Sequence, residues 1–396
     1  MNKKGIIFIT PWFGVFAGGA EVLVRTLAVE LNRRGIKTFI FTTCSKSPYD
    51  SWWHDYYKSG RYSVYGLEIY RFTTNKNDRE RYEKIVSKII RGEKLSTNDK
   101  MDFFYCGINS NTLVNEVKGY LEDYEIIALP YFHGLTHAVI NSYPEKISII
   151  PCFHDEPQFY WSEIITSLLK NAKKVFFNSY EEKEMAVKNY GLKVGRKLAE
   201  GIVTGGIVQR KNYSKELIKE DIIKKLPKKF FVYIGRKEKG KNVHLLCKWF
   251  ERYKKEFKND TKLVFIGGGD QSLIPQSPNF IDYGYVSEEI KQFILQKSKG
   301  LITLSKNESF SLVIMEAWLS GIPVIVSANC AVTKGHVLRC NGGFYVSNKD
   351  EFICALRFIE DNPLLAKKMA INGKMYVQQE FNPDAVLLKY LQALEI

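Results

Sequence analysis

The sequence predicts an α/β protein made of two doubly wound domains of parallel strands. Three observations predict it. Short apolar runs alternate with longer helical stretches along the whole chain, the mark of strand–helix repetition. A chain of 396 residues exceeds one ordinary hydrophobic core and calls for two domains. Both halves also open on an apolar strand that runs into a glycine-bearing loop and then a helix.

In the first half, strands are expected at 6–9, 38–42, 68–72, 126–129, 147–151 and 174–178. The first leads into a loop, Pro11 to Ala17, and then Gly18-Gly19-Ala20-Glu21 opens a helix. Free backbone N–H groups at that helix start make a ready anion site. The segment is not a Gly-x-Gly-x-x-Gly fingerprint and no Walker lysine follows, so dinucleotide and P-loop readings are weak. The stretch 49–57 is dense in aromatics. Its Trp52 and Trp53 suit stacking on acceptor sugar rings, insertion among lipid headgroups, or plain packing. Tyr82, Ile85, Val86, Ile89 and Ile90 follow helical spacing, flanked by Arg81, Lys84, Lys88 and Arg91. Such a stripe fits a basic helix on anionic lipid, or an ordinary helix covering the core. His133 and His154 each follow a strand end.

The segment 205–213 and the charged run up to Lys229 read as the domain connection. In the second half, strands are expected at 230–234, 262–266, 279–283, 300–304 and 323–327. Glu308 lies in the loop after the fourth of these. Glu316, eight positions on, lies inside an apolar helix that Gly321 and Pro323 stop. A glutamate among Val, Ile, Met, Ala and Trp is costly unless something pairs with it. A ligand's hydroxyls are one candidate, because open parallel sheets bind ligands at the carboxyl ends of their strands. The closing segment from Pro363 is helical.

This arrangement resembles the retaining nucleotide-sugar glycosyltransferases of family 4, which have the GT-B fold. The resemblance rests on Glu308-x7-Glu316, on Gly235-Arg236 with Lys241 after the strand 230–234, and on Gly18-Gly19-x-Glu21. It is strongest from Phe230 to Val346. It implies two Rossmann-like domains facing across a cleft, with the last helix, about 384–394, returning to the first. It implies that Arg236 and Lys241 bind the donor diphosphate, Glu308 the sugar hydroxyls and Glu316 the ribose. Gly18, Gly19, Gly235, Gly267, Ser309, Phe310, Ser311 and Leu312 complete the implied donor site. His154 is implied to face the reacting sugar, and His133 to be structural or acceptor-side. The cationic pair suits the chemistry independently, since fixed charges stabilise a departing diphosphate without reorganising.

The expected division is 1–208, with a C-terminal helix at about 381–396, and 209–380 as the donor domain. No cofactor and no essential metal are expected, and no Asp-x-Asp motif is present. The expected partners are a nucleotide-sugar donor, a glycan or lipid-linked acceptor and an anionic membrane surface. Seven dispersed cysteines form no Cys-x-x-Cys pair, which predicts free thiols in a reducing cytosol. The first strand starts by residue 5, which leaves no room for a signal peptide, and no apolar run approaches the ~20 residues of a membrane span. A cytoplasmic protein, peripheral at the inner membrane face, is therefore expected.

The net charge is +15, and residues 201–250 hold 13 Lys and Arg against 4 Asp and Glu. That clustering, without a helix-turn-helix, zinc finger or RNP-type strand, speaks against nucleic acid. Three other functions fit parts of the pattern. They are a nucleotide-sugar 2-epimerase of the same fold, a DNA-modifying glucosyltransferase, and a silent sugar-nucleotide-binding module.

Overall fold

The structure, a computed structural model, describes residues 3–14, 18–208 and 225–396. The middle of the expected connection and the end of the loop before Gly18 lie outside the described residues. The chain divides into two compact units, Met1–Ile207 with Val386–Ile396, and Val208–Ala385.

The first unit is built on a six-stranded sheet of order β3-β4-β2-β1-β5-β6. Its strands are β1 Gly5–Ile9, β2 Thr38–Thr43, β3 Gly60–Val64, β4 Leu67–Phe72, β5 Tyr124–Ala128 and β6 Ile147–Ile149. All pairs are parallel except β3 with β4. β1, β2 and β5 are buried at every position, and none shows the alternation of a strand with one face in water. A bridge from Ile149 to Val175 carries the sheet on toward a small parallel pair, β7 Phe176–Phe177 with β8 Ile202–Val203. The strand expected at 174–178 is shortened because its ladder passes from β6 to β8 within those residues.

The C-terminal helix, Pro383–Leu394, buries Val386, Leu387, Tyr390 and Leu394. Tyr390 packs against Phe176 and donates to or accepts from the Thr204 hydroxyl at 3.1 Å, both in the first unit.

The second unit has a wholly parallel sheet of order β11-β10-β9-β12-β13-β14. The strands are β9 Phe230–Ile234, β10 Lys262–Ile266, β11 Phe280–Asp282, β12 Leu301–Thr303, β13 Val324–Ser327 and β14 Gly343–Val346. The chain winds outward from β9 through β10 to β11, then crosses back to place β12 on the other side of β9. The order reverses between β9 and β12, and such a switch point leaves a crevice at the strands' carboxyl ends. The core beneath joins Phe231, Tyr233, Leu246, Phe250, Phe265, Ile302 and Leu356.

β3 and β14 are absent from the sequence expectation. Both lie at sheet edges; β3 is mostly exposed and shows no apolar run, while β14, Gly-Phe-Tyr-Val, is apolar but only four residues long.

Candidate functional site

The carboxyl end of β9 delivers Gly235 and Arg236, and that of β12 leads to Glu308. Between them sits the turn that carries Lys241. Asn242 takes a left-handed backbone (φ 55°) to cap the helix Val243–Glu256, and its amide donates to the Leu304 carbonyl at 2.8 Å. That bond ties the Lys241 turn to the exit of β12. Lys241 Nζ accordingly lies 2.8 Å from Glu308 Oε1, with the two side chains 26% and 17% exposed. The family resemblance implies the donor diphosphate for Lys241 and the sugar hydroxyls for Glu308, and here the two side chains hold each other. Arg236 reaches Glu238 Oε2 at 2.5 Å, and its carbonyl accepts from the Tyr233 hydroxyl at 2.6 Å.

Glu316 sits on the helix Leu312–Leu319, which is fixed by the buried Trp318, whose indole N–H donates to the Gly342 carbonyl at 2.8 Å. The partner that the apolar helix demands is a protein residue, Lys291, at 2.9 Å from Glu316 Oε1. Lys291, on the helix Glu288–Lys297, also meets Glu288 Oε2 at 2.9 Å. Burial works against its charge, and Glu316 and Glu288 outweigh that and raise its pKa. The pairing that the sequence requires of Glu316 is thus supplied by Lys291 within the second unit.

Ser309, Phe310, Ser311 and Leu312 form the approach to this helix. Ser311 has a left-handed backbone (φ 69°), a strained state for serine, and its buried hydroxyl has no hydrogen-bond partner among the described residues. The ring of Phe310 is buried edge-on to Phe381 and His336, at 4.9 and 5.5 Å between centroids. Its ring is engaged in packing within the second unit. Gly267 has φ 122°, and a Cβ there would meet the Gly235 carbonyl oxygen at 2.2 Å. Its glycine is required by the closure of the β10 exit on the β9 exit.

In the first unit, Gly18 caps the helix Gly19–Arg33. The Glu21 side chain folds back over Gly18, so that a Cβ at Gly18 would lie 1.8 Å from Glu21 Oε2, whereas Gly19 faces open space. Burial pushes the Glu21 carboxyl up to about 7. His154 stands past the β6 exit with Nδ1 3.8 Å from Glu156 Oε1, which also accepts from the Tyr131 hydroxyl at 2.7 Å. The turn before it is held by buried Glu182, which accepts from the Phe153 N–H at 2.6 Å.

His133 is buried, edge-on to Trp12 and Trp52, and burial pushes its pKa down to about 3. The enclosed ring is engaged in packing with these aromatics. Trp52 stacks on Trp53 at 5.7 Å and packs on Trp12 and Tyr82. Their indole N–H groups donate to the Pro48 and Cys106 carbonyls. Both rings are engaged in packing within their own unit.

The helix Arg79–Ile90 turns Tyr82, Ile85, Val86 and Ile89 onto Phe103, Phe104 and Trp161, while Ile90 remains exposed. Lys84 pairs with Glu80 at 2.7 Å, Lys88 with Asp99 at 3.2 Å and Arg91 with Glu93 at 2.5 Å. Most of the stripe covers a satellite core and its cations are matched by carboxylates, the geometry of a covering helix.

Sequence reasoning missed Asn242, Lys291 and Glu182. Only Asn242 carried a usable signal, as a capping residue before an apolar helical run. The other two act across loops and helices distant in sequence. Among the described residues no group of three or more His, Cys, Asp or Glu side chains is placed to hold a metal ion. Among them, too, no helix is long and apolar enough to cross a membrane.

The fold is GT-B, two Rossmann-like units with parallel sheets. The chain aligns with trehalose-6-phosphate synthase OtsA at a TM-score of 0.75, with 9% identity over 99% of both chains. It aligns with WaaG, a glycosyltransferase involved in lipopolysaccharide biosynthesis, at 0.66, with 12% identity over 98% of both. Against S. aureus TarM, in a complex that includes UDP, the score is 0.69, with 13% identity over 98% of this chain and 99% of that one.

Residues 214–376 match the family profile described as glycosyl transferases group 1, so the second unit carries that domain. Two curated relatives are alpha-1,3/1,6-mannosyltransferases ALG2. The one from Dictyostelium discoideum is 27% identical over 201 residues, 44% of this chain and 48% of that protein. The one from Eremothecium gossypii is 22% identical over 221 residues, 42% of each. The match thus spans less than half the length of these relatives.

Proposed function

We propose that this chain is a retaining glycosyltransferase of family 4. It moves a hexose from a nucleoside-diphosphate sugar to a glycan or lipid-linked acceptor in glycoconjugate synthesis. The names of the curated relatives favour mannose as the sugar. The observation that carries this reading is the Lys241–Glu308 pair, formed where the exits of β9 and β12 converge.

Chemically, the reading runs from charge. The donor diphosphate draws Lys241 away from Glu308, and with Arg236 it neutralises the charge that grows as the glycosidic bond breaks. The amino-terminal N–H groups of the helix Leu312–Leu319 add a fixed positive end. Glu308, released, accepts hydrogen bonds from sugar hydroxyls, and Glu316 accepts them from the ribose. Lys291 balances the charge of Glu316 from 2.9 Å. The leaving phosphate oxygen takes the acceptor proton on the face it leaves, so the new bond forms with retained configuration and no protein nucleophile is required. His154 is assigned the polar contact to the reacting sugar that the family resemblance implies. The cations stand in for a metal, and the reaction is expected to proceed without one.

The test is nucleotide release from a panel of UDP- and GDP-sugars, mannose donors included, with sugar–lipid acceptors and excess EDTA. Acceptor-dependent release that persists in EDTA supports the reading. Complete loss restored by Mg²⁺ or Mn²⁺ would overturn the metal-free site, and release without any acceptor dependence would favour an epimerase or hydrolytic role.

A further inference from the structure

Within the basic turn after β9, Lys237 behaves unlike its neighbours. It is 1% exposed, and its ammonium bonds both Asp282 oxygens, at 2.8 and 2.9 Å, and the Gly267 carbonyl. Its backbone N–H donates to the Gly268 carbonyl and its carbonyl accepts from the Asp270 N–H, each at 2.8 Å. These bonds make a parallel bridge between Lys237 and Gly269. Gly269 has φ 111°, and a Cβ there would lie 2.5 Å from the Lys237 carbonyl oxygen, so the approach is close.

Neighbouring side chains of extended backbone point to opposite sides. With Lys237 drawn inward against the exits of β10 and β11, Arg236 is turned outward, where its side chain is 44% exposed. A buried ion pair is a poor source of stability compared with apolar packing of the same volume. What it does supply is direction, because an ammonium held by three oxygens has one place to sit.

We propose that Lys237, buried and paired with the partly exposed Asp282, is a positioning residue that aims Arg236 at the donor diphosphate. This rests on the donor-site reading above. It assigns to a residue with no ligand contact the orientation of one that has such a contact.

The test is calorimetry with UDP and GDP, and with uridine and guanosine, on four proteins. They are wild type, Arg236→Ala, the pair Lys237→Met with Asp282→Asn, and the combination of all three changes. The paired change is expected to weaken the diphosphate about tenfold and to leave the nucleoside unchanged, as misdirection of one cation would. In the Arg236→Ala background it should have no further effect, since coupled residues are non-additive. Equal losses for diphosphate and nucleoside, or additive losses, would overturn the proposal and leave a merely structural pair. Asp282→Asn alone keeps an acceptor for Lys237 and serves as the gentler variant, with melting temperature as the folding control. If Arg236→Ala itself leaves diphosphate affinity unchanged, the donor-site reading falls and this inference with it. If Arg236→Ala weakens the diphosphate and the Lys237 variants do not, only the inference falls.

Discussion

Replacing Glu308 with Gln should make a free nucleoside diphosphate bind more tightly and the complete nucleotide sugar more weakly. Lys241 is held by Glu308 at 2.8 Å, and on the proposed reading a diphosphate breaks that contact to recruit the lysine. The side chains are 26% and 17% exposed, which places the pair between a surface bridge and a buried one. Its strength is then about 1 kcal/mol. The amide keeps an acceptor in place but removes the charge, so recruitment becomes about fivefold easier. The complete donor loses a charged acceptor for its hydroxyls, at about 1–3 kcal/mol, which the first gain only partly offsets. Calorimetric titration of diphosphate and of nucleotide sugar into wild type and Glu308→Gln separates the two effects. A variant that binds the free diphosphate more weakly than wild type would refute the exchange. Equal affinities for both ligands would remove Glu308 from the site.

Three further outcomes are expected. Lys241→Ala should lower turnover about ten- to a thousandfold, the range for losing one transition-state donor, with an unchanged melting temperature; steady-state kinetics decide it. Glu316→Gln should weaken the free nucleotide by about 1–3 kcal/mol, measured calorimetrically against the same nucleotide lacking its ribose hydroxyls, whose affinity should not change. Burial, reinforced by Arg339, pushes the pKa of His336 down to about 3, while the unfolded chain takes up that proton near 6.5. Its stabilising contribution is therefore complete above pH ~6.5 and drains away as pH falls, by at most about 1.4 kcal/mol per unit. Denaturant melts at pH 7, 6 and 5 should show a shallower acid dependence for His336→Phe than for wild type, and parallel curves would refute the assignment.

The fold class was legible because the signal for a buried parallel strand is local. Phe230–Ile234 and Lys262–Ile266 coincide with the strands expected of them, and each is almost wholly apolar. β3 escaped because an exposed edge strand shows no apolar run, and β14 because its apolar run is only four residues long. The helix Arg79–Ile90 was legible as a helix, but its spacing left open whether the stripe faced lipid or protein. Phe103, Phe104 and Trp161, all downstream, fill that face.

The sequence by itself determined that two α/β units exist and which loops end at strand exits. It also determined that Arg236, Lys241, Glu308 and Glu316 belong to those loops and to the helix that follows. Hydrophobic periodicity and glycine placement act over a few residues, so they can be read directly. Only the tertiary structure decided who holds whom. Lys241 is 67 residues from Glu308, Lys291 is 25 from Glu316, and Lys237 is 45 from Asp282. A charge in a sequence carries no mark of its partner. Burial makes a partner obligatory, but the strand order of the sheet selects which carboxylate is near enough to serve.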